Sequence, residues 1–226
     1  MIKLAVSGSK GRMGSRIIAL AEKDPSFQVA TAFDIGEDAA AAISACDVLI
    51  EFTTPDATVE HVSIASRMRK GVVIGTTALA GESLKSLEEA AEKIPIVFSP
   101  NMSVGVNLMF RISSEAARVL PANYIPRITE AHHAHKKDAP SGTAKRLAEI
   151  VAAERNVAPD SIPIESIRNG EIAGDHKLVF EADTETLELT HSARTRDTFA
   201  AGALSAAKFL RNKTNGLYTM GDVLGI

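Results

Sequence analysis

Gly8-Ser9-Lys10-Gly11-Arg12-Met13-Gly14 is the stretch on which the fold turns. The apolar run Lys3 to Ser7 leads into it, and Met13, Ile17, Ile18 and Leu20 follow at helical spacing, so the chain reads strand, glycine loop, helix. Glycines in such a loop permit a tight turn and let a pyrophosphate approach backbone N–H groups at the helix start. The spacing is G-x-x-G-x-x-G rather than G-x-G-x-x-G, and a glycine-rich turn without a ligand is the plain alternative. Asp34 tips the balance toward a dinucleotide. It lies 20 residues beyond Gly14, at the end of a second apolar run, Gln28 to Phe33, where a carboxylate can accept hydrogen bonds from the adenosine ribose. The same carboxylate repels a ribose 2′-phosphate, and Ile35 and Gly36 offer no arginine to pair with one, so NADH is the preferred cofactor. Lys10 and Arg12 keep NADPH as an alternative, because a long cationic side chain from the loop reaches far.

Outward from this loop the alternation continues. Val48 to Phe52 reads as a strand ending in the turn Thr53-Thr54-Pro55; Thr58 to Arg69 reads as helix, Val72 to Ile74 as strand, Ser83 to Glu92 as helix, and Ile96 to Phe98 as strand up to Pro100. Apolar strands separated by helices predict a parallel sheet covered on both faces, with ligands at the carboxyl ends of its strands. The rhythm changes after Asn101. A longer helical pattern, Val106 to Leu120, leads through Arg127-Ile128-Thr129-Glu130 into a histidine-rich loop. Farther on, Leu178, Phe180, Leu187 and Leu189 alternate with polar residues as in an antiparallel sheet, and Thr198 to Leu210 is helical again. The expectation is an α/β chain. A Rossmann-like dinucleotide-binding domain with a parallel sheet takes residues 1–101 and 197–226. A second, α+β domain for substrate binding and oligomerisation, with a mixed or antiparallel sheet, takes residues 102–196.

Composition excludes several classes. No segment reaches the roughly 18 uninterrupted apolar residues of a membrane span, and the amino terminus turns directly into the glycine loop without a secretory pattern, which points to the cytoplasm. The net charge of −3 comes with no long basic block, so a nucleic-acid partner is not expected. The single cysteine, Cys46, sits in an apolar run and reads as a buried structural thiol.

The second informative stretch is Glu130-Ala131-His132-His133-Ala134-His135-Lys136-Lys137-Asp138-Ala139-Pro140-Ser141-Gly142-Thr143. Five potential cations fall within six residues of a slightly acidic chain, a concentration that a small anion would balance. Ser141-Gly142-Thr143 opens the helical pattern Ala144 to Ala152, so its hydroxyls and N–H groups suit a carboxylate or phosphate. Three readings compete: an exposed loop in which Ser141 merely caps a helix, a metal site, and an acid/base site beside an anion cradle. Metal is disfavoured, because the histidines stand at i, i+1 and i+3 with lysines alongside. The adjoining nucleotide domain favours the third reading, in which a histidine supplies a proton and a lysine polarises the substrate.

The two stretches together resemble the dihydrodipicolinate reductase family, which combines a G-x-x-G-R-M-G loop with a distant E-x-H-H-x-H-K-x-D-A-P-S-G-T motif. The likeness also takes in Gly75-Thr76-Thr77, the crossover Asn101 to Asn107 and the terminal Gly216-Leu217-Tyr218. It implies reduction of 4-hydroxy-tetrahydrodipicolinate, a small dicarboxylate, by NADH or NADPH, and assembly as a homotetramer through the second domain. Carried over by position, it makes His132 the proton donor and Lys136 its partner; His133, Gly142 and Thr143, with Lys136 and Ser141, hold the substrate carboxylates. On the cofactor side it implies that Gly8, Ser9, Lys10, Gly11, Arg12 and Met13 hold the pyrophosphate, and Asp34 the ribose. Gly75, Thr76 and Thr77 with Ser99, Pro100, Asn101 and Met102 hold the nicotinamide half. Thr54 stands where longer members often have arginine, and Met102 where an aromatic residue often flanks the nicotinamide.

Overall fold

A computed structural model describes residues 1–226 as two compact units, Met1–Val104 with Arg196–Gly225, and Gly105–Thr195 with Ile226. With elements numbered along the chain, the first unit holds β1 (Ile2–Ser7), β2 (Phe27–Phe33), β3 (Val48–Glu51), β4 (Gly71–Ile74), β5 (Pro95–Phe98) and β10 (Gly216–Tyr218). They form one sheet in the order β10-β5-β4-β3-β1-β2, with every pairing parallel. Strand order reverses between β1 and β3, and such a reversal opens a crevice at the carboxyl ends of the two strands.

Both faces of this sheet are covered, and side-chain parity sorts the strand residues between two cores. Leu4, Val6, Ile50, Val73 and Val97 face the first core, with Ile17 of α1 (Gly14–Ala21) and Ala203, Ala207 and Leu210 of α7 (Asp197–Leu210). Ala5, Leu49, Val72, Ile74 and Ile96 face the second, beneath α2 (Ala39–Ser44), α3 (Pro55–Arg67) and α4 (Glu82–Ala91). Fully burying one such aliphatic side chain contributes about 1.5–3 kcal/mol, which is why the strands read as unbroken apolar runs. The first core needs α7, and this requirement brings the chain back after residue 196. Cys46 is buried in the second core, and burial pushes its thiol up to about 11, so it stays an inert structural residue.

In the second unit, β6 (Ile125–His132), β7 (Ile164–Arg168), β8 (Asp175–Glu181) and β9 (Thr186–Ser192) form a sheet in the order β7-β6-β8-β9, mixed because β6 and β7 run parallel. Ile128, Leu178 and Phe180 point to one face, where Met109 and Ala117 of α5 (Val104–Val119) and Leu147, Ala148 and Val151 of α6 (Gly142–Arg155) close the core. The helix α8 (Met220–Leu224) completes the element list of the first unit. No helix is long and apolar enough to cross a membrane.

Two local differences from the sequence reading have simple causes. The turn assigned to Thr53-Thr54-Pro55 is the start of α3, because Pro55 occupies the first helical turn, where its fixed φ and missing N–H cost nothing. Strand β6 runs on to His132, so the first histidine of the supposed loop is anchored in a sheet.

Candidate functional site

The candidate groups fall into two clusters, one in each unit. In the first unit Gly8 closes β1 with φ +66°, a conformation side chains rarely adopt, and a Cβ there would stand 3.1 Å from Thr53 Cγ2. Its carbonyl accepts from Gly11 N at 2.9 Å, which tightens the loop. Gly14 is needed for close packing, since a Cβ would come within 2.2 Å of the same carbonyl. Helix α1 begins at Gly14 with no side-chain cap, the arrangement that admits a phosphate at its first N–H groups.

Asp34, just past β2, is tied to the loop after β1: Oδ2 accepts from Lys10 N at 3.0 Å and Oδ1 from Ile35 N at 2.9 Å, and these bonds hold the carboxyl below its usual range. Glu37 reinforces it. One oxygen accepts from Asp34 N at 3.1 Å and the other takes Lys10 Nζ at 2.8 Å. A cleft of about 650 Å³ opens here, lined by Ser7, Gly8, Asp34, Glu37, Thr53 and His61 among others. Deeper in the wall, the buried Glu51 carboxylate lies 2.7 Å from His61 Nδ1 and accepts from Thr53 N at 2.9 Å. These groups suit the adenosine and pyrophosphate of a nicotinamide dinucleotide: a tight backbone loop, an uncapped helix start and a ribose acceptor in one crevice.

Gly75 and Ser99 extend the candidate surface, because Gly75 N bonds Glu51 O at 2.9 Å and Ser99 N bonds Ile74 O at 3.1 Å. Phe52 lies against Gly75 so closely that a Cβ there would stand 2.1 Å from the ring. Thr76 is engaged through Thr58 Oγ1 at 2.8 Å, while Thr77 and Pro100 are exposed. Asn101 folds back through its carbonyl, which accepts from Ser99 Oγ at 2.7 Å. Met102 is only 1% exposed and belongs to the first core, with its carbonyl against α7, so its sulfur is not open to a ligand.

The second cluster begins on β6, where residues two apart share a face. Ile128 anchors that face in the core; Glu130 and His132 follow along it, and both are buried. Glu130 is 0% exposed, and its two oxygens accept from His132 Nδ1 at 2.5 Å, Arg168 Nη1 and Nη2 at 2.9 and 2.7 Å, and Ser141 N at 3.2 Å. Burial alone would raise this carboxyl, but the donors from Arg168, Ser166 and His132 outweigh it and hold it down to about 2. An ionised carboxylate only accepts, so His132 carries a proton on Nδ1 and presents Nε2. Nε2 sits beside the Gly174 backbone, where a Cβ would approach to 3.1 Å.

Burial, helped by Lys136 and Arg168, lowers the His132 pKa in spite of Glu130. His176, opposite Glu130 on β8, packs edge-on against His132 with ring centres 5.1 Å apart, and burial drives its pKa down to about 3. Its Nε2 lies 3.3 Å from Ser141 Oγ. Ser141 also caps α6 by accepting from Ala144 N at 3.2 Å, so the plain capping reading holds for its hydroxyl. Gly142 opens the helix, and a Cβ built there would meet nothing within 4 Å. The loop after β6 carries Lys136, whose Nζ pairs with Asp138 at 2.8 Å, and His133, which is tied down by its N–H to Ile172 O at 2.8 Å. Thr143 follows in the first turn of α6. No group of histidine, cysteine and carboxylate side chains has the geometry to hold a metal ion.

Sequence reasoning assigned no role to Glu130, Arg168, Gly174 or His176. Glu130 carried a usable signal, its i, i+2 spacing to His132 within a run of strand character. The other three stand 36 to 44 residues beyond His132, and only the register of β6 with β7 and β8 brings their strands alongside.

Models of two domain families match the chain almost end to end: dihydrodipicolinate reductase, N-terminus, over residues 2–102, and dihydrodipicolinate reductase, C-terminus, over residues 105–224. The chain is 39% identical to the 4-hydroxy-tetrahydrodipicolinate reductase of Nitrosomonas eutropha over 100% of its own length and 99% of that protein. It is 38% identical to the one from Aromatoleum aromaticum, over 100% and 96%. Among solved structures, a dipicolinate-bound dihydrodipicolinate reductase from a Paenisporosarcina species superposes with a TM-score of 0.81 at 24% identity, covering 97% of each chain.

Proposed function

This chain belongs to the dihydrodipicolinate reductase family, and we propose from that premise how its residues divide the work. The activity is that of its relatives, the nicotinamide-dependent reduction of 4-hydroxy-tetrahydrodipicolinate to tetrahydrodipicolinate in lysine and diaminopimelate biosynthesis. The observation that carries the residue assignment is His132, fixed through Nδ1 by a buried carboxylate and offering Nε2 beside Gly174, next to a helix start and a lysine.

Loss of water from 4-hydroxy-tetrahydrodipicolinate leaves the conjugated imine dihydrodipicolinate, and the nicotinamide, when bound, would supply hydride to its electron-poor carbon. His132 then delivers a proton from Nε2 to the carbanion-like product, and Lys136 exchanges its Asp138 partner for a substrate carboxylate. The N–H groups of Gly142 and Thr143 take a carboxylate at the start of α6, Ser141 holds that turn in shape, and His133 contributes a further donor. Gly8 to Met13 cradle the pyrophosphate, Asp34 binds the ribose, and Gly75 to Thr77 with Ser99 to Met102 flank the nicotinamide. Most of the acceleration under this reading comes from orientation and from stabilising developing negative charge.

NADH is the preferred cofactor, because Asp34 and Glu37 put two carboxylates where a 2′-phosphate would lie and Glu37 holds Lys10. The chain works in the cytoplasm as a homotetramer built through the second unit. Exposed Ile125 and Ile167 support that assembly: by register they share the face of the sheet turned away from α5 and α6. Oxidation of NADH and, separately, NADPH with substrate freshly made by a coupled synthase tests the reading. Turnover faster with NADH is expected; cofactor binding without turnover would refute the residue assignment, and a sedimentation mass below four chains would refute the assembly.

A further inference from the structure

We infer that Glu130 and Arg168 are a positioning pair that fixes the tautomer of His132 and keeps its ring uncharged until a dicarboxylate enters. The inference rests on His132 being the proton donor and adds how its proton is loaded.

A lone buried carboxylate beside an imidazole favours the imidazolium, since an opposite charge within roughly 4–6 Å stabilises the charged form. Here the carboxylate is already paired. The Arg168 fork occupies both Glu130 oxygens, at 2.7 and 2.9 Å, and Arg168 stands in register with His132 on the neighbouring strand. Glu130 therefore orients His132 without requiring it to be charged. The groups around the ring are Glu130 on β6, Lys136 on the following loop, Arg168 at the end of β7, and His176 on β8, with Asp138 behind them as the partner of Lys136. Two cations and two carboxylates cancel, and His176 is neutral, so a proton on His132 would leave a buried site with net positive charge. Burial and the two cations accordingly outweigh Glu130 and hold the ring neutral.

A substrate with two carboxylates reverses that balance. The proton comes from solvent as the dianion binds and is held at Nε2, because Nδ1 is committed to Glu130. It passes to the substrate carbon after hydride addition, and His132 returns to its neutral form. Neither Glu130 nor Arg168 touches substrate in this scheme.

Side-chain nitrogen NMR of the histidines, followed across pH in the ligand-free protein and in Arg168→Met and Glu130→Gln, tests this. In the parent at neutral pH, His132 is expected as the neutral Nδ1–H tautomer. In Arg168→Met the Glu130–His132 pair should take up a proton at a pH higher by at least about one unit, on the order of tenfold in proton affinity. Glu130→Gln should give mixed tautomers. The alkaline limb of kcat/KM, where the proton donor empties, should move up with the midpoint in Arg168→Met, while KM for NADH stays within about twofold. A purely structural role would lower activity without moving either. An imidazolium or Nε2–H tautomer in the parent, or an unmoved midpoint in folded Arg168→Met, overturns the inference. If Arg168→Met does not fold, the parent's tautomer alone decides. The NMR readout needs no turnover, so failure of the assigned reaction and failure of this pair are seen separately.

Discussion

Gly174 places a backbone with φ +155° against the working nitrogen of His132. Alanine there adds a Cβ 3.1 Å from Nε2 on a backbone that disfavours one, so Gly174→Ala is expected to lower kcat about 10- to 100-fold with KM for NADH nearly unchanged. Steady-state kinetics checks it, and an equal loss of NADH affinity would contradict the placement. In the other cluster Glu37 is the residue to change. Glu37→Ala removes one carboxylate and releases Lys10 Nζ from its 2.8 Å pair, and kcat/KM for NADPH should rise about three- to tenfold, a modest gain because the pair is exposed. An unchanged NADPH-to-NADH ratio would mean that Lys10 does not reach the 2′-phosphate. His132, Lys136 and Asp34 were legible as candidates because each lies in a local pattern with a chemical reason for its spacing. Arg168, Gly174 and His176 were not, because strand register, which a single sequence does not display, makes them neighbours of His132 and Glu130.

Elements were legible in proportion to their length and period. The β1-loop-α1 unit, α5 and α7 have runs or stripes long enough to fix their type. By contrast α2 has six residues, four of them alanine, and β10 has three, too few to show a period. Strand β7, Ile164–Arg168, alternates half-buried and exposed residues and carries no apolar run, yet it delivers Arg168. The glycine in α7 marks a close contact. A Cβ at Gly202 would stand 1.7 Å from Met102 O, so α7 packs directly on the backbone that follows β5. Gly202→Val is expected to cost about 3 kcal/mol or more by overpacking, and at roughly 2–4 °C per kcal/mol for a chain of this size Tm should fall by several degrees. Calorimetry showing an unchanged Tm would mean that the helix shifts without penalty.

At the scale of the whole molecule, the return of α7 to the first sheet and the mixed second sheet follow from which apolar faces need covering, and the acid response follows from where the buried charges sit. His176 is held near 3 against an ordinary 6.5, so the unfolded chain binds its proton first. Its contribution is present above the unfolded pKa and is lost as pH falls from 6.5 toward 3. His132 and His191 are shifted in the same direction. Glu130 is held near 2 against 4.5, so its contribution is lost in turn as pH falls from 4.5 toward 2. Each group costs up to about 1.4 kcal/mol per pH unit within its window. In the first unit the marked carboxylate shift is that of Asp24, whose side chain is 33% exposed in its pair with Lys208, and surface pairs contribute little. Acid should therefore weaken the second unit first. The two tyrosines separate the units, Tyr124 in the second and Tyr218 in the first, so Tyr218→Phe and Tyr124→Phe give proteins with one reporter each. Urea unfolding followed by tyrosine fluorescence should show the Tyr124 midpoint falling between neutral pH and mild acid by more than the Tyr218 midpoint. His176→Phe should flatten that dependence, because a ring that never charges removes the largest histidine shift. Midpoints that fall together, or a Tyr124 midpoint indifferent to pH, would show that the histidine face is not where acid acts.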